Sequence, residues 1–511
     1  MTDWTAGYIA DIDYTFGYYP ELNPQRVKQA LLNVGLISPR IVTACELGFG
    51  QGLSTNIHAA ASNIEWYGTD FNPAHAGFAQ ELAQVSGAAA HLYDEAFAEF
   101  ANRPDLPDFD YIGMHGIWSW ISDENRAVIV DFVRRKLKVG GVLYVSYNTL
   151  PGWGPFAPMR HLMTEHARIM GTSGQGIASR IDGAIAFSEK LLAANPTYAT
   201  ANPQLASRLQ KMKEFDRHYL AHEYFNKDWH PMHFSTMAEH LAPAKLDFAC
   251  SAYCLDHVNA VNLSASQQKF LTDIPDVMFR EAVRDFMVNQ YFRRDFWIKG
   301  ARTLSSIEKE EMLTEQQVML IADPAEVSLK VTGSLGEASL REDVYQPILD
   351  ALADNKPKTM GALAAAVKGQ GIANAQIQEA MLILSSSGKI AMLQDETART
   401  ATNEISDKLN AHLMSKARGG NEIGYLASPL TGGGVGVGRF QQLFLLATRE
   451  NIQEPAELAA FAWNILVSQG HKLLKQGKLL ASEEENLAEL TEQATVFKEK
   501  SWPMYKRLGI A

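Results

Sequence analysis

The chain has 511 residues, of which 46% are hydrophobic and 20% are charged, a composition typical of globular proteins with several buried cores. Its formal net charge of −12 repels phosphate backbones, and no basic run exceeds Arg134-Arg135-Lys136, so we expect no nucleic-acid partner. Three cysteines provide no disulfide framework and favour a reducing compartment.

The start of the chain and its apolar segments bear on its location. Residues 1–4 show neither a basic region nor an apolar region of a leader, which argues against secretion. No run of about 18 apolar residues occurs, so we expect no membrane insertion and a cytoplasmic protein. Cys250 and Cys254 lack the second pair of ligands that a zinc site needs, so we expect no metal.

Residues 22–147 alternate between helical and strand patterns. The helical spacing of apolar residues predicts helices at 22–36, 53–61, 78–85 and 123–137. Apolar runs predict strands at 41–47, 64–69, 90–93, 109–115 and 142–147. The glycines at 140 and 141 are interpreted as the stop of the last helix. This alternation predicts an α/β fold with a doubly wound, mostly parallel sheet.

The remainder of the chain is mainly helical, which predicts a division into three domains. The first spans residues 1–155, with part of its sheet completed by 220–260. Residues 156–325 form a helical lid or regulatory domain, with long helices at 159–192 and 203–219 and further helices at 233–241 and 275–292.

The third predicted domain spans residues 326–511 and is winged-helix-like and helical. Helices at 348–353, 359–367 and 375–385, followed by a strand at 390–393, form the winged-helix pattern. Its recognition helix at 375–385 has no lysine or arginine, which favours a protein contact or dimerisation over DNA binding.

A glycine-rich turn follows the first predicted strand. Gly48, Gly50 and Gly52 permit tight turns and let a ligand approach the backbone, and a helix begins directly after them. A dinucleotide fingerprint would need glycine at position 53, where the chain has Leu53. Glu46 would repel a pyrophosphate but attract the ammonium group of a methionine moiety. The turn therefore favours S-adenosylmethionine, with Glu46 and the three glycines as cofactor-binding residues.

Acidic residues also follow the next two predicted strands. Asp70 lies at the end of the second strand, where a carboxylate can accept both ribose hydroxyls. Phe71 beside it is expected to pack on the adenine. Asp94 ends the third strand and is expected to bind the adenine amino group, although an acid there is often only a helix cap. The alternative for the glycines is a plain turn in a flavodoxin-like domain.

Four segments resemble bacterial class I methyltransferases that carry a methyltransferase regulatory domain. They are His-Gly-Ile-Trp-Ser-Trp at 115–120, the segment 144–153, His-Glu-Tyr-Phe-Asn at 222–226 and Ser-Pro-Leu-Thr-Gly-Gly-Gly at 428–434. The family includes rickettsial protein-lysine methyltransferases that modify outer-membrane proteins. The resemblance covers most of residues 14–300, and it implies a Rossmann-like catalytic domain, a helical middle domain, a winged-helix-like C-terminal domain and often a homodimer.

The ends of the fourth and fifth strands supply the substrate-side candidates. His115 is expected to act as a base, or instead to hydrogen-bond the cofactor or a loop. Trp118 and Trp120 either form an aromatic slot for an alkylammonium group or pack under the lid. Tyr147 and Asn148 are expected to orient the acceptor. We therefore list His115, Trp118, Tyr147 and Asn148 as catalytic candidates, with His115 also assigned to the cofactor.

Other polar segments leave two alternatives open. Tyr14, Tyr18 and Tyr19 either fold over the cofactor or pack ordinarily. His222 and Glu223 either face the active site from the lid or tie two helices together.

The leading functional hypothesis is a protein-lysine N-methyltransferase, because the family match is joined to a large remainder suited to docking a protein. The alternatives are methylation of a small molecule or metabolite, and a non-catalytic cofactor-binding interaction protein. The fourth strand lacks the Asn-Pro-Pro-Tyr type of ending that holds planar nitrogens, which lowers the odds of nucleobase or glutamine methylation.

Overall fold

The structure is a computed structural model that describes residues 14–172, 174 and 176–511. The argument against a secretory leader concerned residues 1–4, which lie outside the described residues. Among the residues that are described, no helix combines the length and the apolar character needed to cross a membrane.

A seven-stranded sheet forms the centre of the first part of the chain. Its strands are β1 (Thr43–Leu47), β2 (Glu65–Thr69), β3 (Ala90–Tyr93), β4 (Phe109–Met114), β5 (Leu137–Asn148), β6 (Asp247–Ser251) and β7 (Phe292–Ile298). Their spatial order is β3-β2-β1-β4-β5-β7-β6, with β1 to β5 parallel and β7 antiparallel to both neighbours. The strand order reverses between β1 and β4, where ligands bind in open α/β sheets. The Rossmann-like, mixed α/β expectation is confirmed.

Five helices accompany the parallel strands, and three of them have clear caps. They are α1 (Pro24–Asn33), α2 (Leu53–Ala61), α3 (Pro73–Ser86), α4 (Phe97–Ala101) and α5 (Asp123–Lys136). The side chains of Asn23, Asn72 and Ser122 accept a backbone N–H at the starts of α1, α3 and α5. Gly140 and Gly141 were expected to end a helix. They lie instead inside β5, at the point where its register with β4 shifts. Gly140 has a φ of 82° there, a conformation that glycine adopts without strain.

The middle of the chain is helical apart from the two strands that complete the sheet. Its helices are α6 (Leu150–Trp153), α7 (Ala157–Ile169), α8 (Ile177–Ala193), α9 (Thr197–Ala201), α10 (Leu205–Glu214), α11 (Arg217–Tyr224), α12 (Phe234–Leu241), α13 (Asn259–Asn262), α14 (Ala265–Thr272), α15 (Val277–Met287) and α16 (Ser306–Glu315). The long helices predicted at 159–192 and 203–219 are each two helices. Strand β6 lies in the segment 220–260 that was expected to join the sheet, whereas β7 lies beyond it.

The C-terminal part contains small antiparallel sheets and further helices. Its strands are β8 (Gln317–Leu320), β9 (Lys330–Gly333), β10 (Gly336–Ser339), β11 (Lys358–Thr359), β12 (Ile390–Met392), β13 (Tyr425–Ser428), β14 (Gly433–Gly436), β15 (Leu474–Lys475) and β16 (Lys478–Leu479). Its helices are α17 (Glu342–Leu352), α18 (Met360–Val367), α19 (Asn374–Ser386), α20 (Glu396–Lys416), α21 (Arg439–Arg449), α22 (Pro455–Ser468), α23 (Glu483–Val496) and α24 (Trp502–Arg507). A three-stranded sheet, β11-β8-β12, accompanies α17 to α19, and the winged-helix assignment stays a prediction.

One hydrophobic core joins the two ends of the chain. Ile57 of α2 and Leu82 of α3 belong to the same buried cluster as Leu409 and Leu413 of α20. The C-terminal part therefore packs directly on the helices that follow β1 and β2, next to the glycine-rich turn.

Candidate functional site

The glycine-rich turn between β1 and α2 needs glycine for two separate reasons. Gly48, Gly50 and Gly52 have φ angles of 71°, 57° and 67°, in the left-handed region that side chains disfavour. A Cβ on Gly48 would lie 2.5 Å from Cδ1 of Ile117, and one on Gly52 would lie 2.4 Å from Cβ of Ala79. The turn is thus held close to its neighbours, and at Gly50 a Cβ would lie 3.2 Å from Cδ1 of Tyr14.

Asp70 connects this turn to the end of β2. Its Oδ2 accepts a hydrogen bond of 2.8 Å from the Gly50 N–H, and its Oδ1 accepts one of 3.0 Å from the Asn72 N–H. The same Oδ1 lies 3.2 Å from Nδ1 of His75. A carboxylate offers about four acceptor positions, so Asp70 keeps capacity for a ligand hydroxyl.

Glu46 lies beneath the turn rather than on its open side. Its side chain is 1% exposed and accepts a hydrogen bond from the Thr55 hydroxyl in the first turn of α2. Burial raises the pKa of Glu46 to about 8, and the nearby Asp70 adds to this shift. The expected contact between Glu46 and a ligand ammonium is therefore not part of the surface that the structure presents.

A crevice of about 730 Å³, its open mouth included, lies at the ends of β1, β2 and β4 and is closed on one side by α11. Its walls are formed by Tyr14, Tyr19, Gly48, Phe49, Gly50, Asp70, Phe71, His75, Phe97, His115, Gly116, Ile117, Trp120, Ile121, His222, Glu223 and Asn226. The crevice thus brings together five expected site residues, Gly48, Gly50, Asp70, Phe71 and His115.

His115 forms part of the crevice wall at the end of β4. Its ring stacks on Tyr19 with centroids 3.7 Å apart, and its Nδ1 shares a 2.7 Å hydrogen bond with the Tyr144 hydroxyl. Burial lowers the pKa of His115 to about 4, so the imidazole is neutral at pH 7. The structure therefore holds His115 rigidly, as a neutral ring between two tyrosines.

The remaining expected catalytic residues lie behind the crevice, not on it. Trp118 is fully buried in the core, with its Nε1 3.3 Å from Sδ of Met232, so the expected aromatic slot does not include it. Tyr147 is also fully buried and donates a 2.9 Å hydrogen bond to Oδ2 of Asp295. Asn148 is 4% exposed. Side chains alternate between the two faces of a strand, and the Tyr147 side chain points into the core. It therefore does not face the crevice, where it was expected to orient the acceptor.

Two expected cofactor residues also lie outside the crevice walls. Gly52 serves as the N-terminal cap of α2. Asp94 follows β3 and is exposed, whereas Phe97, three residues later, does line the crevice. Asp94 does not cap α4 either, because the N-terminal cap of that helix is Ala96.

Helix α11 supplies wall residues that sequence reasoning left undecided. His222 and Glu223 of α11 and Asn226, two residues beyond its end, line the crevice, so this segment faces the site. Tyr14 packs edge-on against His222, with ring centroids 5.1 Å apart. Burial raises the pKa of Glu223 to about 7. Their signal in the sequence was the resembling segment 222–226, but its pattern did not show which way each side chain points.

The comparisons with known proteins agree with this architecture. The chain matches the profile described as "predicted methyltransferase regulatory domain" over residues 216–299. An uncharacterized protein of Synechocystis sp. is 41% identical over 513 residues, covering 99% of this chain and 100% of that protein. An uncharacterized protein of Rickettsia prowazekii is 25% identical over 305 residues, 56% of this chain and 53% of that protein.

A solved structure shares the fold along almost the whole chain. PKMT2 from Rickettsia typhi, in complex with AdoHcy, has a TM-score of 0.68 at 18% identity and covers 98% of this chain and 100% of that one. The regulatory-domain match begins just before α11 and ends just after β7, so it includes both the crevice-lining helix and the end of the sheet. The chain therefore belongs to the family that joins a class I methyltransferase fold to a methyltransferase regulatory domain, and it shares that family with the full-length Synechocystis relative.

Proposed function

We propose that this protein is an S-adenosylmethionine-dependent methyltransferase that modifies lysine side chains of a protein. The observation that carries the proposal is the crevice in which the glycine turn after β1 and Asp70 after β2 meet at the switch point of the sheet. The AdoHcy complex of the Rickettsia typhi protein, which shares this fold, supports the choice of cofactor.

The crevice walls fit an adenosyl ligand with an amino-acid tail. Asp70 retains acceptor capacity for ribose hydroxyls, and the rings of Phe71 and Phe97 offer apolar surfaces for an adenine. A Cβ at Gly48 or Gly50 would press on Ile117 or Tyr14, two residues of the crevice wall. Glu46 lies one layer deeper, where it accepts a hydrogen bond from Thr55, and it does not line this space.

When bound, S-adenosylmethionine supplies a methyl group on a sulfonium centre. The thioether that leaves is neutral and needs no acid. The protein must therefore orient the acceptor and exclude water. His115, fixed between Tyr19 and Tyr144, presents a rigid neutral wall at the end of β4. We assign this wall, together with Trp120, to the acceptor.

The lysine assignment rests on the character of the wall and on the size of the rest of the chain. Aromatic faces such as those of Tyr19 and Trp120 attract an alkylammonium group and suit its apolar stem. The helical part at 156–325 and the part at 326–511, with its proposed winged-helix-like region, offer surfaces for docking a protein. A small metabolite would not require them.

The test incubates the purified protein with methyl-labelled S-adenosylmethionine and a cell lysate. We expect label in protein bands and, after hydrolysis, in methylated lysine. Asp70→Ala should abolish labelling, whereas Asp273→Ala, an exposed acid outside the crevice, should leave it unchanged.

Other results would redirect the assignment. Label confined to small molecules would favour a metabolite methyltransferase, for which the partly enclosed crevice is also suited. Binding of S-adenosylmethionine without release of S-adenosylhomocysteine on any acceptor would favour a non-catalytic protein.

A further inference from the structure

Glu223 is an acid of the crevice wall that has no partner among the described residues. Its side chain is half-buried on α11, and the described residues provide it with no hydrogen bond or ion pair. The other acids near the turn are satisfied, since Asp70 accepts from the Gly50 N–H and Glu46 accepts from Thr55. An unpaired carboxylate is therefore left facing a largely apolar space.

Such a carboxylate is costly unless something positively charged occupies the space in front of it. Removal from water penalises the charged form, and here burial raises the pKa of Glu223 to about 7. Perturbed groups without structural partners, situated in a crevice, are typical of functional sites. The chemistry that satisfies Glu223 is a cation with donor hydrogens, of which a primary ammonium is the simplest.

Glu223 lines the same crevice as Tyr19 and His115. Burial raises the pKa of Tyr19 to about 12, so its hydroxyl is neutral at pH 7. The Tyr19 ring in turn stacks on His115. Glu223 therefore adjoins the tyrosine–histidine wall at the end of β4, to which the proposed function assigns the acceptor.

We propose that Glu223 takes up the proton that a primary ammonium acceptor must lose before its methylation. This inference rests on the proposed function and names its acceptor class. The carboxylate removes one proton from R–NH3+, leaving R–NH2 and a carboxylic acid. The amine lone pair then forms the N–C bond to the transferred methyl carbon while the C–S bond breaks and its electron pair returns to sulfur. The positive charge passes from sulfur to nitrogen.

His115 is less suited to this role. Its Nδ1 already shares a hydrogen bond with Tyr144, and one face of its ring is covered by Tyr19. Burial lowers its pKa to about 4, so it holds a proton far more weakly than Glu223 does. Glu223 can bind or release a proton near neutral pH, because burial raises its pKa to about 7.

The other titratable groups around Glu223 are few enough to separate in an experiment. Those on the crevice walls and on its own helix are Tyr14, Tyr19, Asp70, His75, His115, Arg217, His218, Tyr219, His222 and Tyr224. Substituting Glu223 alone leaves all of them in place, so a change in pH dependence can be assigned to this carboxyl.

The first test measures binding without turnover. In the presence of S-adenosylhomocysteine, saturation-transfer NMR with n-butylammonium chloride should show binding to the wild type that strengthens between pH 6 and pH 8, as Glu223 ionises. Glu223→Gln should lose this binding, whereas Glu214→Gln, an exposed glutamate at the end of α10, should retain it. Uncharged n-butanol should not distinguish the variants. Equal n-butylammonium binding by wild type and Glu223→Gln would overturn the proposal.

A second measurement separates the acceptor from the cofactor. Calorimetric titration should give the same affinity for S-adenosylhomocysteine in wild type and Glu223→Gln, within a factor of two. A loss of tenfold or more would mean that Glu223 holds the ammonium group of the cofactor instead, and the proposal would be wrong.

Turnover with poly-L-lysine supplies the catalytic readout. General-base groups contribute on the order of 100-fold or more, so Glu223→Gln should lose about 100-fold at pH 7. Its residual rate should rise about tenfold per pH unit between pH 7 and pH 9, because solvent then removes the lysine proton. If Glu223→Gln releases S-adenosylhomocysteine as fast as the wild type does, the proton role of Glu223 is refuted and the proposed function stands. If the wild type releases no S-adenosylhomocysteine with any acceptor, the proposed function is refuted.

Discussion

Replacing Glu46 by glutamine measures the pH-dependent free energy of unfolding that comes from burying a carboxyl group beneath the glycine turn. Burial raises the pKa of Glu46 from 4.5 to about 8 in the folded protein. Stability linked to this group is therefore fully present below pH 4.5 and is lost as the pH rises towards 8. Glutamine keeps the shape and the acceptor for Thr55 but does not titrate, so Glu46→Gln should escape this loss.

The magnitude follows from the interval between the two pKa values. Between pH 5.5 and pH 7.5 the unfolded chain is ionised while the folded chain keeps its proton, which costs about 1.4 kcal/mol per pH unit, or about 2.7 kcal/mol. With an unfolding entropy of about 2 cal/mol/K per residue, a chain of this length loses about 2–3 °C in Tm for that free energy.

Scanning calorimetry of wild type and Glu46→Gln at the two pH values tests this directly. The Tm advantage of the variant should grow by about 2–3 °C from pH 5.5 to pH 7.5. Glu223 and His115 titrate in both proteins and cancel in the difference. Glu311→Gln, which alters an exposed glutamate, should run parallel to the wild type. If the Glu46→Gln advantage is the same at both pH values, the carboxyl is not buried as the structure has it.

Three further substitutions probe other parts of the site. Gly48→Val should abolish S-adenosylhomocysteine binding in a calorimetric titration, because Gly48 has a positive φ and its missing Cβ would collide with a neighbouring side chain; unchanged affinity would remove the turn from the site. Arg293→Met should destabilise the fold by about 3–5 kcal/mol in thermal unfolding, because it leaves Asp295 and two other acids buried without their cation; an unchanged Tm would contradict this. Trp118→Phe should lower Tm with little effect on n-butylammonium binding, and Trp120→Phe should do the reverse; matching effects would deny that only one of them lines the crevice.

Elements with simple apolar patterns and glycine punctuation were predictable from sequence. The helix expected at 53–61 and the strand expected at 90–93 match α2 and β3 residue for residue. Their apolar runs are bounded by residues that stop an element, so pattern and boundary agree. The glycine turn and Asp70 could be located for the same reason, because strand ends of a parallel sheet converge at one edge.

Strand β7 could not be recognised from the sequence, because charged residues interrupt the apolar pattern that indicates a buried strand. The helix expected at 275–292 ends at the first residue of β7, and no element was expected at 293–298, where Arg293 and Asp295 interrupt the apolar pattern. In the fold the two residues pair with each other, and Tyr147 of the adjacent strand donates to Asp295. Whether two such charges are exposed or buried as a pair is decided by the surrounding fold and not by the local sequence.

The side-chain directions of the site residues were equally beyond local patterns. Trp118 and Trp120 lie in one short helical turn, and only the packing of the sheet determines that the first enters the core while the second faces the crevice. Glu46 could be located at a strand end, but the burial that puts it behind Thr55 depends on how α2 closes over it.

The buried cluster shared by α2, α3 and α20 has a practical consequence for anyone shortening this gene product. A fragment that stopped after β7 would retain every crevice residue yet strip the covering from Ile57 and Leu82. Such a fragment would expose an apolar surface next to the glycine-rich turn. We expect it to aggregate or to lose local stability there. The C-terminal third is thus inseparable from the architecture of the catalytic half, whatever else it recognises.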